Sequence, residues 1–207
     1  MKGEVISKKK RNELIMYCDN TIETIEYRGY TIKIATDNVP INPREELDNT
    51  GKMVFFHGWY NLGDDHNYDP GDSIEELIES IKENEDVLLI LPVSMYDHSG
   101  ISFYHGQPTN YWDSGYIGVH YITKESWKKI HGDSEFSEEE GVRILKSELE
   151  TYQQYINGEV YLYDVIDLDG NSIDSCGGYY GYDYVEKAAK EAVDWEIQST
   201  KSTIRQN

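Results

Sequence analysis

Cysteine is nearly absent from this chain. Two residues, Cys18 and Cys176, stand far apart in 207 and show no pairing pattern. A disulfide framework is therefore excluded, and a reducing compartment is the natural setting. Long apolar runs are absent too: no window approaches eighteen apolar residues, so the sequence predicts no membrane span. The opening Met1-Lys2-Gly3-Glu4 has no apolar stretch of the signal-peptide kind, which predicts a cytoplasmic location. Basic residues are scarce, 19 against 39 acids, for a net charge of −20. Five of the bases, Lys2, Lys8, Lys9, Lys10 and Arg11, fall within residues 1–12, so residues 13–207 carry a net charge of −24. A body this acidic repels nucleic acid and anionic lipid, and speeds encounter with basic surfaces. Solubility alone also accounts for such an excess.

What the chain does have is aromatic residues, eighteen of them tyrosines. Tyrosine suits surfaces that are half apolar and half wet. Residues 1–12 read as a flexible basic arm and 13–207 as a single α+β domain. Thr21–Tyr27 and Tyr30–Thr36 alternate around Arg28-Gly29, which predicts a hairpin with a two-residue turn. Asp37–Gly51 reads as loop and Lys52–His57 as a short strand. Ser73 with Glu76 reads as a capping box opening a helix with Ile74, Leu77, Ile78 and Ile81 inward. Residues 87–95 form a buried strand, followed by strands at Ile101–Tyr104 and Tyr116–Ile122 and a short helix at Thr123–His131. Ser137 with Glu140 predicts a second capping box, opening a helix with Val142, Leu145, Leu149, Tyr152 and Ile156 on one face. A second hairpin turns at Leu168–Asn171, and a last helix over Asp183–Ser199 places Val185, Ala188, Ala189, Ala192 and Trp195 inward. Short turns between strands predict a largely antiparallel mixed sheet flanked by about three helices.

The chemistry-bearing residues cluster after the buried strand, as Tyr96-Asp97-His98-Ser99-Gly100 and Trp112-Asp113-Ser114-Gly115. Loops at strand ends are where binding and catalytic groups sit. Asp97, His98 and Ser99 are adjacent, and neighbouring side chains on extended backbone point to opposite faces, which argues against a triad. A composite site with Ser114 or Cys176 as nucleophile and His98 as base stays open, with Asp97 and Asp113 as further catalytic candidates. So does a structural role, in which both aspartates hold turns. His57, Asp64 and His66, with Asp65 nearby and Asp97 and His98 able to join them in space, are candidate ligands for a divalent metal, though no H-x-x-x-H or C-x-x-C spacing accompanies them. A role for His66 and the aspartates in capping the helix at Ser73 and ordering the loop stays open beside it. No other cofactor is expected. Cys176 reads as a buried structural thiol. Tyr96, Trp112, Tyr179 and Tyr180 are candidate stacking residues. Glu138, Glu139 and Glu140, with Glu148 and Glu150 further along, form an acidic helix row that a DNA-binding channel would accept in place of a duplex.

Several motifs recur in order: Asn42-Pro43-Arg44, Asp48-Asn49, Met53–His57, Tyr60–His66, Leu91-Pro92, the two glycine motifs, Asp174-Ser175-Cys176 and Gly178–Gly181. Over roughly residues 40–182 the chain resembles a family of acidic proteins encoded by bacteriophages and conjugative elements. It departs from that pattern at Gly177-Gly178, where a bulky aromatic would be expected, and in the stretch between the two glycine motifs. The resemblance implies a mobile-element setting, in which small acidic proteins often inhibit host defence. Three functions follow as expectations. The first is a DNA-mimic-like inhibitor of the anti-restriction or anti-CRISPR type, which would occlude a basic surface on a host protein or protein–nucleic-acid complex without binding nucleic acid or membrane itself. The second is a small metal-dependent hydrolase acting on nucleotides, and the third a sponge for a signalling nucleotide.

Overall fold

The computed structural model describes residues 20–98, 100–109, 112 and 114–204. The basic arm at 1–12, Ser99 and Asp113 lie outside that set. The fold is α+β; the described residues form eight strands in two four-stranded sheets whose pairs are all antiparallel. The described residues divide into two compact units: those within 42–157 form one, and those within 20–41 and 158–204 form the other.

In the terminal unit, β1 (Thr21–Tyr27), β2 (Tyr30–Thr36), β7 (Val160–Ile166) and β8 (Ser172–Tyr180) lie side by side in that order. The expected first hairpin is present. Arg28 (φ 51°) and Gly29 (φ 85°) both take the left-handed conformation that a tight twisted turn requires. The second hairpin is closed by Asp167, whose Oδ1 accepts from the N–H groups of Asp169 (2.9 Å) and Asn171 (2.8 Å). A terminal helix (Tyr182–Ile204) packs Val185, Ala189 and Val193 against Ile32, Ile34, Tyr163 and Val165. Trp195, expected inward, is 69% exposed. The small inward stripe is completed by Val193 instead, so the indole is not needed for the seam. Cys176 is also exposed, contrary to expectation, because β8 is the sheet edge and its outer face is open at Cys176–Gly178.

The central unit has the sheet order β3-β6-β4-β5, from β3 (Gly51–Phe55), β6 (Ser114–Thr123), β4 (Val87–Asp97) and β5 (Ile101–His105). Its helices are α1 (Pro43–Glu46), α2 (Ile74–Asn84), α3 (Lys124–His131) and α4 (Glu138–Ile156); the terminal helix of the other unit is α5. The one-turn α1 falls inside the stretch expected to be loop. Both faces of this sheet are covered, which explains the unbroken apolar run of β4. On one face α2 packs Leu77 and Ile81 against Val54, Val119 and Tyr121. On the other, α4 packs Leu149 and Tyr152 against Met53, Phe55, Val93, Phe103 and Ile117. Pro92 sits in β4 without breaking it. Its carbonyl accepts from Gly106 N on the β5 side, and β5 pairs only from Val93 onward, so no ladder bond is lost there. A bulge opposite Val93–Ser94 shifts the register of β6 at Ile117. Beside it Gly118 (φ 153°) lies so close to β3 that a Cβ would come within 1.9 Å of the Val54 carbonyl oxygen.

The helix starts differ in how they are capped. Ser73 accepts from Glu76 N (3.2 Å), while the Glu76 carboxylate takes Asp72 N (2.9 Å), one residue before the cap. The expected box at Ser137 and Glu140 is not formed: Ser137 makes no side-chain cap bond, and Glu140 is drawn forward to Arg143 (2.6 Å). Thr123 and Ser126 form a full reciprocal box at α3.

Candidate functional site

The motif residues of the central unit build two different places, one closed and one open. The closed one begins at α1. Asn42 caps this single turn by accepting from Arg44 N (3.0 Å), and Pro43 presets its first residue. The turn delivers the Arg44 side chain, only 4% exposed, into a pocket where every N–H finds an acceptor. Nε and Nη2 fork onto the two oxygens of Asp64 (2.7 and 2.6 Å). Nη1 meets Asn49 Oδ1 (2.7 Å) and Glu148 Oε2 (3.3 Å), and Nη2 also reaches the Gly51 carbonyl (2.7 Å). Arginine fits because its rigid fork matches a carboxylate. Glu148 accepts in addition from Thr50 N (2.7 Å), Gly51 N (3.1 Å) and His120 Nε2 (3.2 Å). Burial pushes its carboxyl up, but the hydrogen bond from His120, the charge of Arg44 and the Thr50 N–H outweigh that and hold it below the ordinary range.

Two stacked imidazoles extend the network. His120 is fully buried, and its ring lies 5.5 Å from that of His105, with Nδ1 3.4 Å from His105 Nε2. Since His120 Nε2–H donates to Glu148, its Nδ1 is the acceptor for His105, and both rings are neutral. Burial, then the neighbouring His120, lower His105 to about 4. The Asn-Pro-Arg, Asp-Asn and Gly-Asp-Asp motifs are therefore parts of one buried polar assembly. Its far partners, His105, His120 and Glu148, carry no local signal in sequence beyond their being polar within apolar stretches. Glu148, expected on an acidic outer row, belongs to this assembly rather than to the surface.

Around it the metal candidates are engaged separately. Asp64 is held by Arg44 and by Met53 N (2.8 Å). His57 Nδ1 accepts from Trp59 N and Tyr60 N (3.2 Å each), and its ring stacks on Tyr60 at 4.8 Å. His66 Nε2 donates to the Phe55 carbonyl (3.1 Å). Among the described residues no group of three His, Cys, Asp or Glu side chains is placed to hold a metal ion.

The open place is a cleft at the end of β4. Phe56, His57, Met95, Asp97, Trp112 and Ser114 line a cavity of about 410 Å³, with Tyr116 at its margin. The structure thus joins Asp97, Ser114 and Trp112, from the two glycine motifs, with His57; the sequence left open that Asp97 and His98 meet His57, and of these two only Asp97 lines the cavity. A second cavity of about 450 Å³ continues from His57 past Tyr60 to Asp64 and Asp65. No lysine or arginine is among the described residues lining either cavity. Trp112 is 93% exposed and Trp59, two residues from His57, 91%. His98 is exposed, with its ring 6.0 Å from that of half-buried Tyr96, and its N–H donates to the Gly100 carbonyl (3.3 Å). Tyr179 and Tyr180 belong to the terminal unit. Tyr179 packs 5.7 Å from the Tyr163 ring, and the Tyr180 hydroxyl donates to the Ile41 carbonyl (2.9 Å).

A third cavity, of about 700 Å³, lies beside α2. In it Glu85 accepts from Tyr121 (2.6 Å), Tyr68 (2.8 Å) and Lys52 (2.6 Å). Burial raises this carboxyl, and those three bonds reverse the effect, so it stays ionised. Beyond it runs an acidic ridge that the sequence reading did not single out. Asp65, Asp69, Asp72, Glu75, Glu76, Glu79, Glu83 and Asp86 are all exposed, with Lys82 the only base between 65 and 86. Counting acids over windows that ignore element boundaries would have found it. On α4, Glu138 and Glu139 are exposed, while Glu140 is half-buried and paired with Arg143.

Comparison with family models, with curated proteins and with solved structures returned no match. No helix among the described residues is long and apolar enough to cross a membrane.

Proposed function

We propose that this chain is a mobile-element binding protein of the host cytosol that occludes a basic, nucleic-acid-binding surface of a host defence complex. The observation that carries the reading is the ridge of eight exposed carboxylates between residues 65 and 86. Four of them ride on α2, which is roughly 16 Å long. Duplex DNA carries about one charge per 1.7 Å, so the helix alone presents under half the charge of an equal length of duplex. Asp65, Asp69 and Asp72, exposed in the segment before α2, and Asp86 after it, which meets Lys124 Nζ at 3.6 Å, extend the acidic surface. Glu138 and Glu139 at the start of α4 add to the acidic surface. The resemblance to acidic phage and conjugative-element proteins supplies the setting.

The test is competitive capture. The protein is immobilised, host extract is passed over it, and bound proteins are challenged with duplex DNA and with salt. The reading expects nucleic-acid-binding proteins that DNA or salt releases, and their loss when Glu75→Gln, Glu79→Gln and Glu83→Gln are combined. Capture that duplex DNA does not displace, or that survives the triple substitution, would overturn it.

A further inference from the structure

Two tryptophans over nine-tenths exposed, at Trp59 and Trp112, need a reason. Neither braces the core, and indoles left in water at the rim of a cleft are the residues that most often dominate an interface. Trp112 lines a cavity with His57 and Asp97; Trp59 does not line it, but its backbone N–H donates to His57 Nδ1 (3.2 Å). Tyr60, stacked on His57, and Tyr116 widen the aromatic rim. The charge at this rim has one sign: Asp97 lines the first cavity and Asp65 the second, Asp64 there being matched by Arg44, and no base appears among the described lining residues.

Those features select the occupant. An aromatic face attracts a cation, and a carboxylate beside it accepts the cation's hydrogens. A guanidinium satisfies both at once, because its flat face stacks on an indole while its edge donates to a carboxylate; an ammonium is a strongly hydrated point charge and does this poorly. A nucleobase would also stack, but the phosphates attached to it need cations that this rim lacks, against a chain of net charge −20.

We propose that the cleft between His57, Asp97 and Trp112 takes an arginine side chain from an exposed segment of a protein partner, stacked on Trp112 and paired with Asp97. This rests on the reading of the chain as a binder of basic protein surfaces and names the contact that would anchor it.

The test uses the full chain and two short probes, acetyl-Gly-Arg-Gly-Arg-Gly-amide and its lysine counterpart, followed by calorimetry and tryptophan emission. The arginine peptide should bind at least about fivefold tighter than the lysine peptide. Trp112→Ala should weaken it about tenfold and Asp97→Asn at least about threefold. Trp195→Ala, on the terminal helix, should change nothing. Equal binding of the two peptides, no effect of Trp112→Ala, or tighter binding of a single-stranded oligothymidylate would overturn the proposal. Its failure is separable from that of the wider reading. Peptide binding without DNA-displaceable capture removes the wider reading and keeps the cleft. DNA-displaceable capture that Trp112→Ala leaves intact, with no arginine preference, removes the cleft alone.

Discussion

The Arg44 assembly and the Trp112 cleft are drawn from the same small unit and from motifs that look alike on paper, yet they obey opposite rules. In the first, every donor of a buried cation is matched, and its two carboxylates are filled further by backbone N–H groups and by His120. In the second, large side chains that would gain from burial are left in water. The difference teaches how to tell structural polar motifs from interactive ones. A motif whose hydrogen-bond accounts close internally has finished its work when the chain folds, whereas one that leaves aromatic area and a carboxylate facing solvent has not.

Breaking the closed assembly should have the largest effect. Arg44→Ala leaves Asp64 and Glu148 without their counter-ion in a buried site, and should cost about 3–5 kcal/mol of stability in denaturant unfolding. A loss below 1 kcal/mol would mean that water reaches the carboxylates and that the assembly is not closed. Glu148→Gln keeps the shape but removes the charge that accepts from His120, Arg44 and two backbone N–H groups, and should cost about 2–3 kcal/mol. Acidification probes the same place more gently. His105 is neutral in the folded state down to about pH 4, below the ordinary histidine value of 6.5. The unfolded chain therefore takes up the proton first, so stability should fall as pH drops from about 6.5 to about 4 and the His105 contribution should then level off. The size should be about 1–3 kcal/mol, read as melting temperature against pH. His105→Gln should flatten that part of the curve; an unchanged slope would place the titration elsewhere. The smallest effect belongs to the open cleft. Trp112→Ala should shift stability by under about 0.5 kcal/mol, as exposed substitutions do. A larger loss would mean that the indole braces the fold and that the contrast between the two places is false.

Much of the scaffold could be read from residue order, since hairpins, caps and helix stripes are local. Arg28-Gly29 announces a tight turn, and Ile74, Leu77, Ile78 and Ile81 repeat at helical spacing. What escaped was long-range or set by edges. Arg44 and Glu148 are 104 residues apart, and no period in the chain connects them. Cys176 reads as buried because it follows a strand pattern, but whether that strand is central or at the edge is decided by its neighbours. Trp195 fits the helical stripe by spacing, yet Val193 fills the seam and the indole turns out. Glu140 sits where a capping box needs it, but Arg143 three residues on competes for its carboxylate at 2.6 Å. Of the candidate site, the two glycine motifs were visible as a place to look. That Asp97 could meet His57 was open in the sequence; that Ser114 and Trp112 join them was not, because it depends on β3, β4 and β6 lying side by side.

The free side of β5 has one more consequence. Ile101 N donates to Asn157 Oδ1 (3.0 Å), the Asn157 amide donates to the Ile101 carbonyl (2.8 Å), and Phe103 N donates to Gln153 Oε1 (2.6 Å). Two side-chain amides at the end of α4 occupy the positions a neighbouring strand would take. They make a false selvedge: the weave ends there because its last thread is already knotted. A polypeptide arriving at this border cannot be stitched on as a further strand, so recognition on this side of the central unit must run through loop and helix surfaces, where the side chains rather than the backbone choose the guest.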